Sequence, residues 1–149
     1  MTDLWLSIAH HVLVFAIAGV IAAEAAMLRL GMTLGELRII GALDAIYGIS
    51  AVLILVVGFG RVYYGLRGPE FFMSNPWFWA KLWAFAVVGV LSAPPTIKFL
   101  AWRRRANREP GFAPGASDIA WVRKLLLTEA AVFLLIPILA AAMVRVPMM

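Results

Sequence analysis

Four long, unbroken apolar runs dominate this chain of 149 residues. The first covers about Leu4 to Leu28, the second Ile40 to Tyr64, the third Pro76 to Trp102 and the fourth Ile119 to Val146. Each reaches the roughly 20 residues that a bilayer's hydrocarbon core demands of a helix. The runs are continuous rather than alternating, and inside lipid a helix satisfies all its own backbone groups. The expected fold is therefore all-α, an integral membrane four-helix bundle forming a single domain over residues 1–149. Composition agrees. Hydrophobic residues make up 64% of the chain and the mean hydropathy is +0.93, whereas a soluble domain is roughly 45–50% apolar. Cysteine is absent, which excludes disulfides, thiol catalysis and iron–sulfur ligation. The opening "MTDLWLS" lacks the basic start of a cleaved signal, so the first run is expected to be retained as a helix.

Charge sets the expected orientation. An even number of spans puts both termini on one side. Arg29, Arg38, Lys98, Arg123, Lys124 and the arginines of "WRRRANR" lie towards the other side, against only Arg61, Arg67 and Arg145 at the terminal side. The positive-inside rule makes the basic side cytoplasmic and leaves both termini outside. This predicts a multi-pass protein of the bacterial inner membrane, in contact with lipid. A basic run beside a span reads as a topology anchor rather than a nucleic-acid site. Ser117 or Asp118 is expected to cap the fourth helix and Asn75 the third, with Pro76 in its first turn. The aromatics of "RGPEFFMSNPWFWAK" suit an interfacial belt. Pro94, Pro95 and Pro137 fall within spans and should kink them.

Ionisable residues inside the spans are the candidate functional groups, because a charge at a helix centre costs about 2.5–3.5 kcal/mol on insertion scales. A rise of about 1.5 Å per residue places His10 and Lys81 at a similar level, about 10 Å outward of the midplane, with Arg61 slightly further out. Glu24 and Asp44 fall in the inner half at similar height, and Glu129 lies near the middle. The expected arrangement is an outer cationic layer and an inner buried polar network of acids. Seven-residue steps put His10, Ile17 and Glu24 on one helix face. His11 is turned about 100° away, so the two histidines should meet different neighbours. Asp44, Tyr47, Gly48 and Ala51 share a stripe that either makes a hydrogen-bonded helix contact or lines a cofactor edge.

The segments "AHHVLVF", "LDAIYG", "GFGRVYYG", "NPWFWAK" and "SAPPTIKFLAW", in this order, resemble a bacterial family of four-helix inner-membrane proteins classed as a domain of unknown function. The resemblance spans nearly the whole chain and implies a fold and a location but no activity. A second similarity rests on the histidines of the first helix, the Asp-x-x-Tyr-Gly start of the second and the aromatic-then-lysine start of the third. These are similar to haem-containing membrane protoporphyrinogen oxidases and to the related copper-resistance membrane proteins. That similarity implies haem b, with His10 or His11 on the iron and Arg61 and Lys81 meeting carboxylates of the cofactor or substrate. The chain departs from the oxidase pattern in having no histidine in its other helices. A second iron ligand would be Met, Lys, water or a residue of another subunit. Two further readings stay open. One is an accessory or assembly subunit, with a membrane-protein partner or as a homo-oligomer. The other is a proton or ion carrier built on Glu24, Asp44 and Glu129.

Overall fold

The computed structural model describes residues 1–145. It contains four long helices and a short one: α1 (Thr2–Met27), α2 (Leu34–Tyr64), α3 (Gly68–Met73), α4 (Pro76–Arg108) and α5 (Ala116–Arg145). Helices α1, α2, α4 and α5 are all long and apolar enough to cross a membrane. Large side chains such as Phe15, Val52, Val90 and Leu134 point outward, which suits a bundle whose solvent is acyl chain.

The four long helices run in alternating directions. At the terminal end, Asp3 of α1 lies against Gly65, just past α2. There the side-chain amide of Asn75, before α4, donates to the Met143 carbonyl of α5 at 3.1 Å. At the opposite, arginine-rich end, the Arg123 guanidinium donates to the Leu28 carbonyl that closes α1. Arg38 of α2 also donates there to Asn107 of α4 at 3.1 Å. Helix α1 packs on α2 and α5, and α4 packs on the same two, so α1 and α4 stand at opposite corners.

Local chemistry explains the helix boundaries and corrects several expectations. Helix α2 starts at Leu34 rather than Ile40, because Thr33 and Glu36 form a reciprocal capping box: the Glu36 N–H donates to Thr33 Oγ1 at 3.3 Å and the Thr33 N–H to Glu36 Oε2 at 2.8 Å. The link before it is correspondingly tight and turns at Gly31, which has φ 71°. Asn75 caps α4 as expected, its Oδ1 accepting the Trp77 N–H at 3.0 Å, and Pro76 occupies the first turn. Helix α4 runs past Trp102 through the arginines to Arg108. Arg105 there pairs with Glu109 at 2.8 Å and stacks on Phe112.

Helix α5 begins at Ala116, so Ser117 and Asp118 sit in its first turn rather than at the cap. Asp118 instead accepts from Lys98 of α4 at 2.8 Å, which offers the acid a stronger partner than a backbone N–H. Val146, the expected end of the fourth span, lies outside the described residues. Helices α4 and α5 stay continuous through Pro94, Pro95 and Pro137. The expected outer loop contains α3, whose half-buried Phe71 and Phe72 stack towards Phe78.

Inside the bundle, apolar and polar layers alternate. Val62, Phe78 and Met143 close the terminal end. Ile17, Ile21, Tyr47, Ile54, Val88 and Phe133 fill the middle. Leu28, Leu37, Ile40, Phe99, Trp102 and Val122 fill the arginine-rich end. The ionisable groups lie between these plugs.

Candidate functional site

Between the terminal and middle plugs, His10 of α1, Arg61 of α2 and Lys81 of α4 converge on a cavity of about 450 Å³. Its deeper apolar extension, about 60 Å³, is bounded by Val14, Ile54, Phe85 and Phe133. Gly58 forms part of the wall of both, and a Cβ there would lie 3.5 Å from the His10 ring. The absence of a side chain at Gly58 thus leaves room for the imidazole between α1 and α2. Among the described residues the lining includes Arg67 as a further cation but no aspartate or glutamate. His10 Nδ1 and Arg61 Nε are buried with no hydrogen-bond partner. Lys81 lies over the Phe78 ring, 5.4 Å from its centroid. A cation–π contact of that kind offsets part of the cost of drawing an ammonium out of water.

The two histidines separate as helical phase requires. His10 is half-buried and faces the cavity, whereas His11 is exposed at its rim. The His11 Nδ1 lies 2.6 Å from the Ser7 carbonyl one turn earlier, so that nitrogen is engaged by its own helix. The ring centroids are 6.3 Å apart and the planes 83° from parallel. One iron could not take both nitrogens in this arrangement.

Between the middle and arginine-end plugs lies the second polar layer. Glu24 of α1, Asp44 and Tyr47 of α2, Ser92 and Pro95 of α4 and Glu129 of α5 surround one point on the bundle axis. Glu24 is 3% exposed and Glu129 1%. Both Glu129 carboxylate oxygens and Glu24 Oε1 are buried without a hydrogen-bond partner. Asp44 is tied across the bundle, accepting from the Thr96 hydroxyl at 2.6 Å. The Tyr47 phenol faces Glu129 and Ser92. The stripe that carries Asp44 and Tyr47 therefore makes a polar helix contact in the acidic layer, and Tyr47 lies apart from the cationic cavity. Sequence reasoning missed Thr96 and Ser92, hydroxyls that are ordinary in membrane helices until a partner on another helix is known. It also missed Gly58, whose signal is only its seven-residue spacing to Ala51 on the inward stripe.

Residues 2–146 match the profile of a family described as predicted membrane protein (DUF2214). The chain belongs to the DUF2214 family. Neither curated proteins nor solved structures provide a match. The family membership agrees with the resemblance carried by "AHHVLVF" to "SAPPTIKFLAW" and with the four spans; it brings no activity and no ligand. The DUF2214 chain thus presents two polar sites of opposite sign stacked along one bundle, and their chemistry rests on the residues themselves.

Proposed function

We propose that this protein binds an anionic, largely apolar small molecule in the cavity at the terminal end of the bundle, haem b or a related porphyrin being the candidate ligand. The observation that carries this reading is the convergence of His10, Arg61 and Lys81 on a cavity that no acid among the described residues lines, with buried nitrogens of His10 and Arg61 lacking partners. An unpartnered buried donor such as Arg61 Nε costs about 1–3 kcal/mol, and an anion offering oxygen acceptors would recover that cost, while the imidazole of His10 offers a ring nitrogen as a ligand. The cavity of about 450 Å³ falls within the roughly 300–1,000 Å³ of small-molecule sites. His10 would hold the iron, Arg61 and Lys81 the propionates, and Val14, Phe78 and Ile136 the faces of the macrocycle. A bound haem would supply one-electron redox chemistry. The residues of this chain would orient it and exclude water from it. His11 would stay outside, its Nδ1 occupied by Ser7. With the arginine-rich end in the cytoplasm, the cavity opens to the outer leaflet of a bacterial inner membrane and both termini lie outside.

Titration of the detergent-purified protein with haemin and with iron-free protoporphyrin tests this. Wild type should give a shifted Soret band with haemin and quenched fluorescence with protoporphyrin. His10→Ala should abolish the haemin-specific shift yet keep protoporphyrin binding. Arg61→Gln with Lys81→Gln should weaken both by about tenfold or more, which is 1.4 kcal/mol or more. Absence of binding by either compound to the wild type would overturn the porphyrin reading.

A further inference from the structure

The acidic layer is not used by that reading, and it carries an inference that does not rest on it. Three carboxyl side chains from three helices meet where no lining residue is a cation. Around Glu129, α1 contributes Glu24, α2 contributes Asp44 and Tyr47, and α4 contributes only Ser92, Thr96 and Pro95. The nearest cation along α4, Lys98, pairs with Asp118; along α5, Lys124 is exposed on another face and Arg123 donates to the Leu28 carbonyl. Glu24, 3% exposed, brings a carboxylate oxygen without a hydrogen-bond partner to this point, and Glu129, 1% exposed, meets it there with only the Tyr47 phenol beside its carboxylate. Carboxylates gathered in a medium of low dielectric repel one another strongly, and no cation among the described residues lines the site to neutralise them.

The occupant must therefore come from outside, and it must be small. The site has no free volume for even a water molecule. Among the described residues, no group of three His, Asp or Glu side chains is arranged to ligate a metal. A proton meets both limits, since it needs no cavity and bonds to one oxygen. The deeper extension of the cationic cavity reaches Phe133, a member of the middle apolar layer and one turn from Glu129, about 6 Å along α5, so that one packed layer separates the acids from the cavity. Towards the arginine-rich end, the acids abut the packed layer of Leu37, Ile40, Phe99 and Leu126.

We propose that Glu24, Asp44 and Glu129 form a proton-binding site on the bundle axis, loaded through the cavity at the terminal end. Binding adds one proton to a carboxylate oxygen, giving a neutral carboxylic acid, and release returns it to water in the cavity. Neither step requires an oxidant or a second substrate. Tyr47, Ser92 and Thr96 supply hydroxyls that orient the carboxyl groups.

Infrared difference spectroscopy on the full chain in lipid vesicles, across a pH step, tests the site directly. Wild type should show the carbonyl stretch of a buried carboxylic acid. Glu129→Gln and Glu24→Gln should each remove or shift that band, with circular dichroism confirming an intact helix content. In heavy water the wild-type band should shift as the site exchanges. Gly58→Leu, which fills the cavity beside His10, should slow that exchange at least tenfold without removing the band. A wild-type spectrum with no such band would overturn the site, as would a band unaffected by either glutamine. A band that never shifts in heavy water, or that exchanges equally fast in Gly58→Leu, would overturn loading through the cavity. Porphyrin binding is read separately, so failure of either proposal leaves the other standing on its own data.

Discussion

Asn75 shows how one amide can serve two helices. Its oxygen accepts the Trp77 N–H at the start of α4 and its nitrogen donates to the Met143 carbonyl near the end of α5, with the residue 1% exposed. The asparagine amide accepts with its oxygen and donates with its nitrogen, so two separate atoms serve the two helices. Aspartate keeps the cap but brings a second acceptor against the Met143 carbonyl. Asn75→Asp should therefore destabilise although aspartate is as good a cap in isolation. Asn75→Ala should cost about 1–3 kcal/mol through the lost cap and the unsatisfied carbonyl. Thermal melts in mild detergent check both; an Asn75→Asp protein as stable as wild type would show that the Met143 bond contributes nothing. The cap was legible in "SNPW", because Asn before Pro is a helix-start signature. The bond to Met143 was not, because it joins positions 75 and 143.

At the scale of elements, local signals decided what could be read. The spans and their order followed from apolar length alone. "TLGE" carries the Thr-x-x-Glu spacing of a capping box, so the early start of α2 was present in the sequence and lost to the weaker hydropathy of "LGELR". The continuation of α4 through its arginines was hidden for a similar reason. Arginine is a good helix former, yet a hydropathy window ends where charge begins. Asp118 was misassigned because the cap rule is local while Lys98 is on another helix. The polar layers were legible as levels, since a constant rise per residue fixes height, and the two histidines meeting different neighbours followed from phase; which of them faces the cavity did not. Which acid meets which hydroxyl was not, because that depends on the rotation of α4 against α2.

The Asp44–Thr96 hydrogen bond makes that rotation testable. Hydrogen bonds between membrane helices average about 0.6 kcal/mol and reach about 1.7 kcal/mol. A double-mutant cycle with Asp44→Ala and Thr96→Val, measured by unfolding in mixed micelles, should give a coupling of about 0.5–1.5 kcal/mol. Additive losses would mean that the two side chains do not pair in the membrane.

On the scale of the whole molecule, the decisive feature is the separation of charge along the bundle. His10, Arg61 and Lys81 occupy one level, and Glu24, Asp44 and Glu129 another, with Ile17, Ile21, Val88 and Phe133 packed between. The two groups could have cancelled as salt bridges had they shared a level; the apolar plug keeps them apart. That arrangement has a direction, and so its use depends on which face of the membrane each end meets. Lys and Arg concentrate at the end away from the termini, and such a bias fixes orientation when it lies within about 15–20 residues of the spans. The absence of cysteine makes the direction measurable with single introduced thiols. Leu66, 90% exposed between α2 and α3, marks the terminal end. Ala113, exposed between α4 and α5, marks the other. In intact spheroplasts a membrane-impermeant maleimide should label Leu66→Cys and spare Ala113→Cys until the membrane is opened. The reverse pattern would turn the cationic cavity towards the cytoplasm, so that both its ligand and the protons reaching Glu129 would have to come from inside the cell.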